Sequence, residues 1–122
     1  SKVVAYCFDG TRLNKLESYT IPARVQGIDF GKDGKVYLST SLGRTKSSYL
    51  RVYDSLKAMD EKPNKPMKKV EMPPCSEELE IQGDSVYVLF ESAGQKYYEG
   101  TDGKGSSISP LEKIISIRLD SI

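Results

Sequence analysis

Apolar residues in this chain occur in runs of no more than six, separated by glycine, proline and acidic turns. Val36-Tyr37-Leu38 and Val86-Tyr87-Val88-Leu89-Phe90 are continuous rather than alternating, the pattern of strands covered on both faces. The runs predict strands over 2–9, 17–21, 26–30, 35–40, 48–54, 68–72, 79–82, 85–91 and 113–120. Gly31-Lys32-Asp33-Gly34 and Gln82-Gly83-Asp84 supply the positive φ angles of tight hairpins. The segments 17–21 and 68–72 run into Pro22 and Pro73, which suits outer strands. A helical alternative competes at two places. Tyr49, Val52, Tyr53 and Leu56 have helical spacing, as do Leu111, Ile114, Ile115, Arg118 and Ile122, and Ser109-Pro110-Leu111-Glu112 imitates a helix start. The β-branched density of 114–117 favours strand, and so does an internal repeat.

That repeat appears when the chain is shifted by 51 residues. Ile21-Pro22-Ala23-Arg24 then falls on Met72-Pro73-Pro74-Cys75, Gln26 on Glu77, Ile28 on Leu79, Phe30 on Ile81 and Asp33 on Asp84. After the loss of one residue in the turn, Val36-Tyr37-Leu38 falls on Val86-Tyr87-Val88. Leu50-Arg51-Val52-Tyr53 likewise resembles Ile115-Ser116-Ile117-Arg118, and Val4-Ala5-Tyr6-Cys7-Phe8 resembles both. Periods near 50 residues signal propellers, solenoids or arrays.

Composition narrows the function classes. A chain of 122 residues predicts one domain, 1–122, with a real core. Eighteen basic and seventeen acidic residues leave a net charge of +1 without a basic run, so neither a nucleic acid nor an anionic membrane is an expected partner. No apolar run approaches a membrane span. Histidine is absent, which removes Ser-His-Asp and Cys-His sites, zinc-protease motifs and a histidine general base from what this chain can build. Cys7 and Cys75 are read as two semi-buried free thiols rather than a disulfide. Opening on Ser1 without a signal-peptide pattern, the chain reads as a processed or trimmed piece.

The stretch Gln26-Gly27-Ile28-Asp29-Phe30, Asp33-Gly34-Lys35-Val36-Tyr37-Leu38-Ser39-Thr40-Ser41 and Gly43-Arg44, closed by Leu50-Arg51-Val52-Tyr53, resembles blades of bacterial six- and seven-bladed β-propellers. That group includes the strictosidine-synthase-like and gluconolactonase-like proteins. Ser76-Glu77-Glu78-Leu79-Glu80-Ile81 through Phe90-Glu91-Ser92-Ala93, followed by Tyr97-Tyr98, is similar to the last, carboxy-terminal blade of often secreted bacterial propellers. The resemblance implies an all-β fold of about two four-stranded antiparallel blades plus one strand, part of a truncated propeller. The blade-like units would cover about 16–56 and 67–122, with an extra strand at 2–9. In blade order the nine strands read third, fourth, first, second, third, fourth, first, second, third. Such a ring needs at least four blades. The partners expected are therefore the remaining blades of a longer protein or another copy of the chain; collapse into a self-contained sandwich is the third course.

In propeller geometry one face collects Arg24, Val25, Gln26, Arg44, Glu77, Glu78, Glu91, Ser92 and the loop 93–110, while Asp33, Asp84 and the loop 57–67 lie opposite. The charges and prolines of 57–67 read as a mobile linker without chemistry. Clustered Glu77, Glu78 and Glu91 must share a proton, bind a cation or find a basic partner such as Arg24 or Arg44. Oxygen ligands suit calcium or magnesium, and gluconolactonase-like enzymes hold a divalent metal in the channel with acidic and amide side chains. Tyr97 and Tyr98 beside Lys96 can stack on a sugar or a partner's side chain, although a loop of this composition also suits disorder or packing against a neighbour. Neither Gly31-Lys32-Asp33-Gly34 nor Thr101-Asp102-Gly103-Lys104 meets a phosphate-loop or calcium-hand spacing, so both read as ordinary turns. The ligand-binding candidates are Gln26, Arg44, Glu77, Glu78, Glu91, Tyr97 and Tyr98. The expected function is a non-enzymatic binding or scaffold module of a secreted or cell-surface protein, taking a small-molecule or sugar ligand. The alternative is part of a divalent-metal-dependent hydrolase or lactonase, with calcium as the candidate ion.

Overall fold

Nine strands in three antiparallel sheets make up the computed structural model, which describes residues 1–122. The first sheet pairs β1 (Lys2–Phe8) with β2 (Leu13–Thr20). The second runs in order β3 (Val25–Phe30), β4 (Val36–Thr40), β5 (Ser48–Tyr53) and β6 (Lys68–Met72). The third runs β7 (Ser76–Gln82), β8 (Ser85–Phe90) and β9 (Ile115–Arg118). The fold is all-β, and both segments with helical spacing carry strands, β5 and β9. Two short helices interrupt it, α1 (Leu56–Glu61) and α2 (Gln95–Glu99).

The 51-residue repeat is visible in the backbone. Arg24 and Cys75, equivalent under the shift, are the two non-glycine residues with positive φ, 64° and 69°. The next strand opens in each case with a register shift, between Val25 and Gly27 in β3 and between Ser76 and Leu79 in β7. Each left-handed residue also accepts a backbone hydrogen bond from just beyond the second strand of the hairpin that follows it: Ser41 N–H to Arg24 O, 3.1 Å, and Glu91 N–H to Cys75 O, 3.0 Å. A left-handed conformation is costly for any side chain, so its recurrence marks one turn used twice.

The middle sheet lies between two cores. Every residue of β4 is buried. From it Tyr37, with Leu50 and Val52 of β5, packs into a cluster with Leu79, Val86, Val88 and Phe90 of the third sheet. Val36, Leu38 and Tyr53 form the other cluster with Met59, against Val3 and Tyr19 of the first sheet. This two-sided covering is what the continuous apolar run required. Between the second and third sheets β3 packs on β7, and polar contacts cross the seam. Asp29 Oδ2 accepts from Ile81 N–H at 2.6 Å, and Ser39 Oγ donates to Glu77 O.

Two segments differ from their expected character. Residues 57–67 are not a mobile linker. Ser55 caps α1 by accepting from Ala58 N–H at 3.1 Å, and Met59 is fully buried. Asp60 accepts from Thr20 N–H at 2.6 Å, while Met67 N–H returns to Val52 O at 2.8 Å. One apolar residue on a capped turn of helix offsets the surrounding charge. The thiols also differ from two semi-buried groups: both are free, but Cys7 is exposed and Cys75 buried.

A carboxylate and arginine cluster under the long loop

The turn before β7, the end of β8 and the loop after it bring four of the expected residues together: Arg44, Glu77, Glu91 and Tyr97. The organising group is Arg44, from the short β4–β5 loop. Its guanidinium donates to Lys96 O at 3.2 Å and to Gly105 O at 2.6 Å, and both its terminal nitrogens reach the Asp102 carboxylate. It also lies over the Tyr97 ring, 4.4 Å from the centroid. Around this hub the loop closes on itself. α2 ends at left-handed Gly100, Ser107 N–H donates to Tyr97 O at 2.6 Å, and Ile108 N–H donates to Arg44 O at 3.2 Å. Neither disorder nor a free binding arm describes this segment. Ordered glycine turns let its carbonyls converge on one planar five-donor group.

Tyr97 is buried, and its hydroxyl donates to Glu91. Burial first, and then the bond to Glu91 with that group's charge, push the Tyr97 phenol up to about 12. Arg44 holds the Asp102 carboxyl down at about 2. A carboxylate lowered on folding contributes stability that is complete above its ordinary value of 3.8 and lost as pH falls through about 2. The arginine thus pairs with Asp102, not with a glutamate, and neither Arg44 nor Arg24 forms an ion pair with Glu77, Glu78 or Glu91. Asp102 sits in a sequence with the look of an ordinary turn; the signal pointing to it was the extra length of 93–110 opposite a short loop carrying one arginine.

Glu77 is half-buried beside Glu91, and its carboxyl is raised above the usual range. Desolvation is the largest cause, followed by the charge of Glu91, a hydrogen bond with it, and the charge of Glu78. Burial and the Glu91 charge also raise the Cys75 thiol, which keeps it protonated and a poor nucleophile. The remaining candidates lie apart. Glu78 turns back to accept from Leu79 N–H at 3.0 Å and lies against Gly27. Gln26 is exposed, and the Tyr98 hydroxyl is engaged by Glu112. No group of three or more His, Cys, Asp or Glu side chains is placed to hold a metal ion. The residues of this chain alone do not fit a calcium shell of six to eight oxygens.

The raised Glu77 carboxyl has a measurable consequence. A carboxylic acid whose pKa rises on folding stabilises the fold most below its unfolded value, 4.5, and this contribution is lost as pH increases through the folded value. Glu77→Gln keeps the hydrogen-bonding shape without the charge. Its melting temperature should exceed that of the wild type at pH 7, with the difference closing below pH ~4 as Glu77 itself takes a proton. Thermal unfolding at the two pH values checks this, and a variant less stable than wild type at pH 7 would contradict it.

Compared with protein-family models, with curated proteins and with solved structures, the chain matches none.

Proposed function

We propose that the chain is a non-enzymatic binding or scaffold module, two blade-like units and one partial unit of a β-propeller in a secreted or surface-held protein. The observation that carries this reading is the uncovered face of the third sheet. Val86-Tyr87-Val88-Leu89-Phe90 has the sequence of a strand covered on both sides, yet Tyr87 is 39% and Leu89 48% exposed. Exposed Ile114 adjoins β9 in the same sheet, and at the far end of the molecule Tyr6, Phe8 and Leu13 are likewise bare. Apolar surfaces of this kind mark places where another element packs. The sheet order supports the same reading, because two, four and three strands is the division that the third-to-third blade order requires.

The partners are then further blades or a second copy, with the cluster under the 93–110 loop as a rigid cap on one rim. The wired state of Arg44 and Tyr97 favours a cap that presents its outer surface over one that opens to take a sugar into its centre. Sedimentation velocity on the isolated chain tests the proposal. Reversible self-association is expected, and Phe8→Lys and Leu89→Lys, both at exposed positions, should each shift the protein toward monomer. A compact monomer at all concentrations, unchanged by either substitution, would contradict it.

The Glu77–Glu91 contact favours one second reading, part of a divalent-metal hydrolase or lactonase. It needs additional oxygen ligands from neighbouring blades. Calcium titration of a longer protein or assembly, with Glu77→Gln and Glu91→Gln alongside, separates the two readings, because only the metal reading predicts loss of binding in both variants.

A further inference from the structure

On the middle sheet, the turn before β3 and the β4–β5 loop, whose Arg44 turns instead to the carboxylate cluster, enclose a cleft of about 410 Å³. Arg24, Lys46 and Arg51 line it together with Thr40, Ser41 and Tyr49. Cross-strand partners share a sheet face, so Tyr49 opposite Thr40 and Arg51 opposite Leu38 place this cleft on the side of the sheet that packs toward β1 and β2. None of the three cations has a carboxylate within ion-pair distance. Lys69 adds a fourth positive charge at the margin, its ammonium 3.9 Å from the centroid of the Tyr49 ring. Glu71 is the carboxylate close by, and the Ser47 hydroxyl donates to it at 2.5 Å. The Thr40 hydroxyl holds Arg51 in place by accepting from its Nε at 3.1 Å, and the Tyr53 hydroxyl is a second side-chain contact of the same guanidinium, which has no carboxylate partner.

We propose that this cleft is a binding site for a small organic anion: a carboxylate or phosphate head on a body of about monosaccharide size. Like charges drawn into one concavity repel each other unless an anion joins them, and low-dielectric walls concentrate their field. The volume falls in the range of small-molecule sites. Two arginines supply forked donors that match either head group, and the hydroxyls and the Tyr49 ring suit a polar ring beside it. The left-handed turn places Arg24 here. The same turn at Cys75 packs its side chain inside, so the difference between the two repeats is a cation exposed at this cleft. The inference does not depend on the ring reading.

Glucuronate, glucose 6-phosphate and uncharged glucose, titrated into isotopically labelled whole chain at low ionic strength, test it. One or both anions should give saturable amide shifts around residues 24, 40–41 and 46–51, and glucose none; which anion binds assigns the head group. Arg51→Gln should weaken binding about tenfold or more, the typical loss for one charge-assisted hydrogen bond. Arg24→Gly should do the same without loss of thermal stability, because glycine accepts the left-handed turn freely. Arg12→Gln, an equal charge change in the exposed β1–β2 turn outside the cleft lining, should leave affinity unchanged. Binding should also disappear near 1 M salt, where the Debye length is about 3 Å. Absence of saturable shifts with both anions, equal affinity in Arg24→Gly, or equal weakening by Arg12→Gln would overturn the proposal.

Discussion

Replacing Gly27 by alanine should destabilise the protein by about 3 kcal/mol, the upper part of the range for overpacking a filled interior. Gly27 is buried in β3, where that strand meets β7 of the next sheet. A Cβ added there would lie 2.6 Å from Glu78 Oε1, 2.8 Å from Glu78 Cα and 2.9 Å from Glu77 O. A side chain can swing aside, but two of these three contacts are backbone. The clash must therefore be relieved by separating the second and third sheets, which also pulls Ser39 from Glu77 O and Asp29 from Ile81 N–H. Urea unfolding of Gly27→Ala gives the magnitude, and the double variant with Glu78→Ala locates the cause. Since removing the Glu78 side chain leaves its Cα in place, the double variant should recover little of the loss. A change below ~0.5 kcal/mol, the scale of ordinary surface substitutions, would mean that the two sheets do not meet as described.

Met59→Ala should cost about 3 kcal/mol, within the range for truncating a buried methionine. The residue is fully buried on a single turn of helix and joins Val36, Leu38 and Tyr53 in the cluster that ties the middle sheet to the first. Lys57→Ala and Glu61→Ala, exposed positions of the same helix, should change stability by less than ~0.5 kcal/mol. Ser55→Ala should fall between, near 1 kcal/mol, through loss of the helix cap. The ordering is what separates a packed element from a linker. Equilibrium denaturation of the four variants measures it, and a silent Met59→Ala would return 57–67 to the status of solvent-exposed chain.

Much of the architecture was legible because it rests on short-range chemistry. Strands and hairpins follow from β-rich runs punctuated by glycine and aspartate, and all nine strands overlap those runs, although β2 begins earlier, at Leu13, β7 begins earlier, at Ser76, and β9 is trimmed to Ile115–Arg118. The 51-residue repeat placed two similar hairpins, whereas the bulge and the left-handed residue at matching positions are seen only in the structure. By grouping the loops at one end of the strands, it brought Arg44, Glu77, Glu91 and Tyr97 into one neighbourhood. The covering of β4 on both sides was likewise written in its continuous apolar sequence.

Partner choice among charged groups was not legible. Arg44 had carboxylates of similar sequence merit on every side, and only the path of the 93–110 backbone decided for Asp102, 58 residues away. Coulomb attraction is long-ranged and indifferent to sequence separation, so the winner is whichever carboxylate the folded chain carries within reach. Met59 was hidden for a related reason. In a charged, proline-rich segment a single apolar residue has no periodicity to announce it, and its burial depends on a space that exists only once β4 and β5 have packed. The gathering of Arg24, Lys46 and Arg51 is of the same kind: three cations spread over 28 residues make no run in the sequence, and one left-handed turn and two adjacent strands bring them to a single cleft. Local backbone preference thus set the elements and their order in this protein, whereas tertiary packing decided which side chains meet.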